Sequence, residues 1–286
     1  MKIAIYGSRR QEQFATPIGQ LLRCLALSGA ELYMDRKLYS HLTVDLGMSL
    51  PGVAEAPADF ARIAPVDIVL SIGGDGTFLR TAVWVGDTET PILGINTGHL
   101  GYLAPLAVED APKFVDNILE GNYRVERRAL IEVVTPALSS RRYALNEVVM
   151  SKDDSASMVS ATVWLDDEEL TTYKADGVIV ATPTGSTAYN LSVGGPIVQP
   201  TAPVWTLSPI AAHSLGMRPL VVCDDVCLTV NVTGRGHSFR LTVDGYANTL
   251  PMGTVVKLRR APFGTRIVLP NDTSFPEVLH NKLMFN

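Results

Sequence analysis

An apolar run, residues 66–72, ends directly in Gly73-Gly74-Asp75-Gly76-Thr77. No other feature narrows the fold of this chain as much. A Val/Ile/Leu strand that stops in glycines leaves bare backbone at a sheet's edge, where phosphate groups can approach the N–H groups closely. Asp75 is the one ionisable side chain among them. It stands where a helix beginning near Thr77 would favour an anion. Backbone that cradles phosphate around a single carboxylate suits a phosphotransferase. An isolated Asp-Gly pair would more simply be a strand-to-helix turn in which Asp75 caps the helix. The remaining sequence has to decide between the two.

The chain has 286 residues, and at about 150 residues per domain that suggests two domains. An apolar content of 47% with 19% charged residues is that of a compact protein with a real core. A net charge of −5 gives no electrostatic footprint for nucleic acid. The local basic clusters, Arg9-Arg10, Arg127-Arg128, Arg141-Arg142 and Arg259-Arg260, are pairs. No apolar run is long enough to span a membrane, and the first residues read as a strand rather than a signal peptide, so a cytoplasmic protein is expected. Cys223 and Cys227 stand too far apart for a disulfide if extended, about 13 Å between Cα atoms. Buried free thiols are expected, with no zinc-like Cys/His spacing.

The first part alternates strand and helix. A strand over residues 2–6 precedes a helix over 14–27, a weaker helical stretch over 58–63, the strand 66–72, a helix over 77–85 and a strand over 91–95. This order predicts a parallel, Rossmann-like sheet covered on both faces, with both glycine-bearing turns (73–77 and 96–101) at carboxyl ends of strands. After Gly121-Asn122 the segments shorten and alternate, which predicts an all-β, sandwich-like domain. The expected organisation is an α/β domain over 1–122, a β-rich domain over 123–270, and a C-terminal segment, 271–286, returning to the first domain.

The β-rich part carries polar groups that a bare scaffold does not need. Asn146-Glu147 interrupts an apolar strand. Asp176-Gly177 precedes another, just after Lys174. A hydroxyl-rich turn, residues 182–190, leads into Leu191-Ser192. His213 lies beside a proline-set turn. Each has an ordinary explanation as a solvated edge, a turn, a helix cap or a structural histidine. Together they resemble a ligand site, because carboxylates suit ribose hydroxyls while hydroxyls and amides suit phosphate oxygens. The P-loop, the G-x-G-x-x-G fingerprint and the protein-kinase signatures are all absent.

In this order the glycine pentapeptide, Asn146-Glu147, Asp176-Gly177 and residues 182–189 resemble the motif set of NAD kinases over nearly the whole chain. The pentapeptide is shared with lipid kinases; the other elements are more specific. The resemblance implies transfer of the terminal phosphoryl group of ATP to the adenosine 2′-hydroxyl of NAD, with Asp75 as proton acceptor and a divalent cation, Mg²⁺, on the donor phosphates. It implies that Gly73, Gly74 and Thr77 bind phosphate, and that Gly76 and Arg80 contact the substrate. Asn146 and Glu147 would hold ribose hydroxyls, and Asp176 the nicotinamide end or a neighbouring subunit's ligand. Lys174, Thr187, Ala188, Tyr189, Asn190, Leu191 and Ser192 would complete the dinucleotide pocket. It also implies a homodimer or homotetramer, with neither nucleic acid nor membrane as partner. The chain departs from the family's usual residues at Lys174, Ala212 and Tyr246. The alternatives are a lipid or nucleoside kinase sharing the pentapeptide, and a non-catalytic NAD(P)-binding sensor.

Overall fold

The computed structural model describes residues 1–9, 12–98, 101–139, 142–153, 157–214 and 216–283. Four readings touch residues outside that set: His99-Leu100 in the second glycine turn, Arg10, Arg141, and Leu215 after the His213 turn. The chain forms two compact units, one of residues 1–127 with 265–286 and the other of 128–264. The sequence placed the divide instead at 122/123 and 270/271.

The first unit contains strands β1 (Lys2–Gly7), β2 (Glu31–Asp35), β3 (Val53–Ala56), β4 (Ile68–Ile72), β5 (Ile92–Asn96) and β6 (Leu106–Ala107). Its helices include α1 (Ala15–Leu27), α2 (Arg36–Ser40), α3 (Asp75–Val85) and α4 (Val115–Glu120). The strands pair in parallel in the order β5-β4-β1-β2-β3. Every residue of β4 and β5 is buried, which is why both read as nearly continuous apolar runs instead of alternating ones. The strand order reverses between β1 and β4, so the crevice at their carboxyl ends is the topological switch point of a doubly wound sheet. Gly7 ends β1 there: a Cβ on it would lie 2.7 Å from Leu38 Cδ2 and 3.1 Å from the carbonyl of Ile72.

Strand β7 (Arg124–Val134) carries the chain into the second unit. There β8 (Arg142–Ala144), β9 (Glu147–Lys152), β10 (Val159–Leu165), β11 (Glu168–Ala175), β12 (Gly177–Ala181) and the short helix α5 (Tyr189–Ser192) follow. Then come β13 (Val204–Ile210), β14 (Leu220–Cys223), β15 (Leu228–Gly234), β16 (Ser238–Val243), β17 (Tyr246–Pro251) and β18 (Val255–Leu269). One antiparallel sheet runs β14-β13-β12-β9-β16-β17; the first part of β18 joins β15, β10 and β11 in another. Alternate residues of both sheets meet in one core that includes Val148, Met150, Val178, Trp205, Val163, Val230 and Leu241. The expected α/β first part and β-rich second part are both present.

The end of β18 returns to the first unit, where Ile267 and Val268 pair in parallel with Ile92 and Leu93. Helix α6 (Phe275–Leu283) follows. Several local readings need correction. The helix after the glycine turn starts at Asp75, not near Thr77, and residues 58–63 supply only a 3-10 turn, Phe60–Arg62. Pro209, of the proline-set turn beside His213, lies instead within strand β13, where it faces Val178 of β12. The thiols are free, but Cys24 and Cys223 are exposed and not buried. Among the described residues no helix is long and apolar enough to cross a membrane.

Candidate active site

Asp75 is the first residue of α3, and its carboxylate does not cap its own helix. It reaches across to the segment after β5, accepting hydrogen bonds from the amides of Tyr102 (2.8 Å) and Leu103 (3.0 Å). Gly101 makes that approach possible, since a Cβ on it would lie 1.8 Å from Asp75 Oδ1. The turn is fixed from below. Gly73 has φ +149°, and a side chain there would strike Thr77 Oγ1 at 2.4 Å. The amide of Gly73 donates to the carbonyl of Ile95. Thr81, buried in α3, bonds to Ser71 of β4 and to the carbonyl of Thr77. Above the turn the backbone is open, with nothing near a Cβ placed on Gly74 and only Arg80 Nη1, at 4.0 Å, near one on Gly76. The Arg80 guanidinium, itself exposed, folds back to Thr77 Oγ1 at 3.1 Å. This corner is therefore open backbone at a helix N-terminus, with one fixed carboxylate and one arginine, suited to holding phosphate.

The second unit gathers the other polar group. Asp244, in the β16–β17 turn, accepts the amides of Leu145 (2.6 Å), Asn146 (2.9 Å) and Glu147 (3.0 Å). Gly185 packs so closely on Asn146 that a Cβ would lie 2.1 Å from its carbonyl oxygen. The amide of Thr182 donates to that same carbonyl, and Thr182 Oγ1 donates to the carbonyl of Leu145. The hydroxyl-rich turn, a 3-10 helix over Thr184–Thr187, is thereby locked against the Asn146-Glu147 corner. One further amide, that of Tyr189, donates to the Glu147 carboxylate. Glu147 Oε2 is buried without a hydrogen-bond partner among the described residues. Burial first, and the charge of Asp244 second, raise Glu147 to about 7, against the opposing Tyr189 amide. Asp244 rises to about 6 through burial, opposed by its three amide bonds.

The remaining sequence candidates divide by environment. Tyr189 and Ser192 are exposed, and Thr187, Ala188 and Leu191 are partly so. Asn190 is buried and fully engaged inside the fold: its amide donates to the carbonyls of Ser186 and Pro196, and its oxygen accepts from Ser208 Oγ at 2.6 Å. Asp176 pairs with Lys152 at 2.9 Å. Lys174 is exposed on β11, and its carbonyl accepts the amide of the exposed His213. Sequence reasoning missed Lys152, Ser208 and the amides of Tyr102 and Leu103, and for Asp244, standing before Gly245, the sequence shows only a turn. An Asp-Gly pair between two alternating segments is a hairpin signal, and nothing local shows a carboxylate reaching back to residues 145–147.

A doubly wound sheet with an anion-suited turn at its switch point, followed by an antiparallel β unit with a buried acidic corner, defines a nucleotide-handling class of protein. Residues 4–123 match the ATP-NAD kinase N-terminal domain and residues 145–269 the ATP-NAD kinase C-terminal domain. An NAD kinase of Porphyromonas gingivalis is 42% identical over 99% of this chain and 98% of its own length. One of Bacteroides fragilis is 39% identical over 100% and 98%. Two solved structures share the fold at 23% identity. Yeast NADH kinase complexed with NADH has TM-score 0.89 and covers 100% of this chain and 88% of its own. An NAD kinase from Archaeoglobus fulgidus in complex with ATP has TM-score 0.76, covering 99% and 98%. The chain belongs to the NAD kinase family, and it is an enzyme, a phosphotransferase.

Proposed function

We propose that this enzyme phosphorylates the adenosine 2′-hydroxyl of NAD with the terminal phosphoryl group of ATP, giving NADP and ADP. Family membership supports NAD as acceptor and ATP as donor. The observation that carries the chemistry is the Asp75 carboxylate, held by two amides at the switch point. An ionised carboxylate offers about four lone-pair sites, so two amide bonds leave room for a ribose hydroxyl. The hydroxyl proton passes to Asp75 as its oxygen forms a bond to the terminal phosphorus. The bond from that phosphorus to the bridging oxygen breaks, and ADP departs. Phosphoryl transfer asks a protein mainly for positioning and charge neutralisation. The amides of Gly74, Asp75 and Gly76 and the Arg80 guanidinium supply both, whereas those of Gly73 and Thr77 are engaged with the carbonyls of Ile95 and Gly74.

Asn146 and Glu147 hold ribose hydroxyls in this reading, and the unpartnered Oε2 of Glu147 is the acceptor that such a hydroxyl would satisfy. Thr187, Ala188, Tyr189, Leu191 and Ser192 line the dinucleotide's bases, with Asn190 bracing the turn from inside. Asp176, set by Lys152, faces the nicotinamide end, and Lys174 is a peripheral contact. Among the described residues no group of three or more His, Cys, Asp or Glu side chains could hold a metal ion. In this reading Mg²⁺ enters on the donor's phosphates. The reading includes a homodimer or homotetramer in the cytoplasm. Incubation of the purified protein with NAD, ATP and Mg²⁺ tests the activity: NADP is the expected product, and its absence refutes the assignment.

A further inference from the structure

Lys282 lies near the end of α6, and its Nζ sits 5.6 Å from the centroid of the Tyr102 ring. Tyr102 is the residue whose amide holds Asp75. Among the described residues, buried Lys282 Nζ has no hydrogen-bond partner, and neither does the buried hydroxyl of Tyr102. A cation over an aromatic face gains something, but the ring accepts none of the three N–H bonds that a buried ammonium must satisfy. Burial pulls Lys282 below the usual lysine value, while the negative charge of Asp75 pushes the other way. The exposed Glu277 and His280 on the same helix offer no buried anion.

An ammonium with no partner among the described residues, within the field of the proposed base, can receive an anion that arrives with the substrates. A phosphoryl group in transfer carries its negative charge on equatorial oxygens, and it must meet the hydroxyl that Asp75 deprotonates. We infer that Lys282 is a catalytic residue, delivered by the C-terminal helix, whose ammonium binds the phosphoryl group in transit. This rests on the assignment of Asp75 above. The Tyr102 ring positions the ammonium, and the same segment positions the carboxylate, so base and phosphoryl contact are set by one stretch of backbone.

The test compares wild type, Lys282→Met and Lys282→Arg with NAD and ATP, recording kcat, KM for ATP, the Kd of NAD and the melting temperature. Loss of one preorganised charge contact predicts a fall of about 100-fold in kcat for Lys282→Met. NAD affinity and melting should be unchanged, and Lys282→Arg should recover about tenfold of the loss. Inorganic tripolyphosphate, the donor's tail alone, is a second probe and should bind Lys282→Met about tenfold more weakly. Equal turnover in wild type and Lys282→Met overturns the inference while leaving the function intact. So does a loss of turnover that appears only alongside lost NAD binding and lowered melting. A wild type that makes no NADP overturns both.

Discussion

The carboxylate of Asp244 holds the amide of Glu147 at 3.0 Å, together with the two amides before it, so one side chain in a hairpin turn fixes the corner that presents another carboxylate. Asp244→Ala strands three amides that had bonds to a charged acceptor, each worth about 1.5–3 kcal/mol. NAD binding should weaken about tenfold or more in Kd by titration calorimetry, with loss of stability. Unchanged NAD affinity would show that the corner does not bind the dinucleotide.

Glu147 makes stability depend on pH in a direction opposite to most surface carboxylates. Its folded value, about 7, lies above the unfolded 4.5, so folding favours the protonated form. That contribution is fully present below the unfolded value and is lost as pH rises through the folded one. Denaturant titrations from pH 5 to 8 should show wild type losing about 1–3 kcal/mol relative to Glu147→Gln. Parallel curves for the two proteins would contradict the burial of this carboxylate.

Gly101 tests whether the placement of Asp75 matters apart from its charge. A methyl at 1.8 Å from Oδ1 forces the carboxylate off its amides. Misplacing a reacting group by about 1 Å can cost about 100-fold in rate. Gly101→Ala should therefore lose turnover by that order while its fold, followed by circular dichroism, stays intact. Full activity in this variant would mean that the Tyr102 and Leu103 amides do not set the base.

The Lys152–Asp176 pair is partly exposed, with side-chain exposures of 28% and 34%. Such pairs contribute about 0–1 kcal/mol to stability. Lys152→Met should leave the melting temperature nearly unchanged. It frees Asp176, so KM for NAD should change by several-fold. If melting falls sharply and KM does not move, the pair serves the scaffold and Asp176 is no ligand contact.

How much of this was legible in the sequence follows from how local each cause is. The switch-point turn could be read because its cause is contiguous: an apolar strand, three glycines and an acid. The two-part fold could be read from the change in apolar periodicity near residue 122. The supports of the site were hidden because their partners are distant in sequence, Asp75 with residues 102 and 103, Asp244 with 145–147 and Lys152 with 176. Pro209 hid β13, since proline is expected at a strand's edge and here stands in a paired interior strand. Lys282 carried no motif at all; only the placement of α6 beside Tyr102 gives it a meaning.

The most direct measurement is the rate of NADP formation by Asp75→Asn beside its affinity for NAD. The amide keeps the size of the side chain but cannot take up the proton. Wild-type NAD affinity is expected, with turnover lowered by at least about 100-fold. NADP formation at the wild-type rate would contradict it.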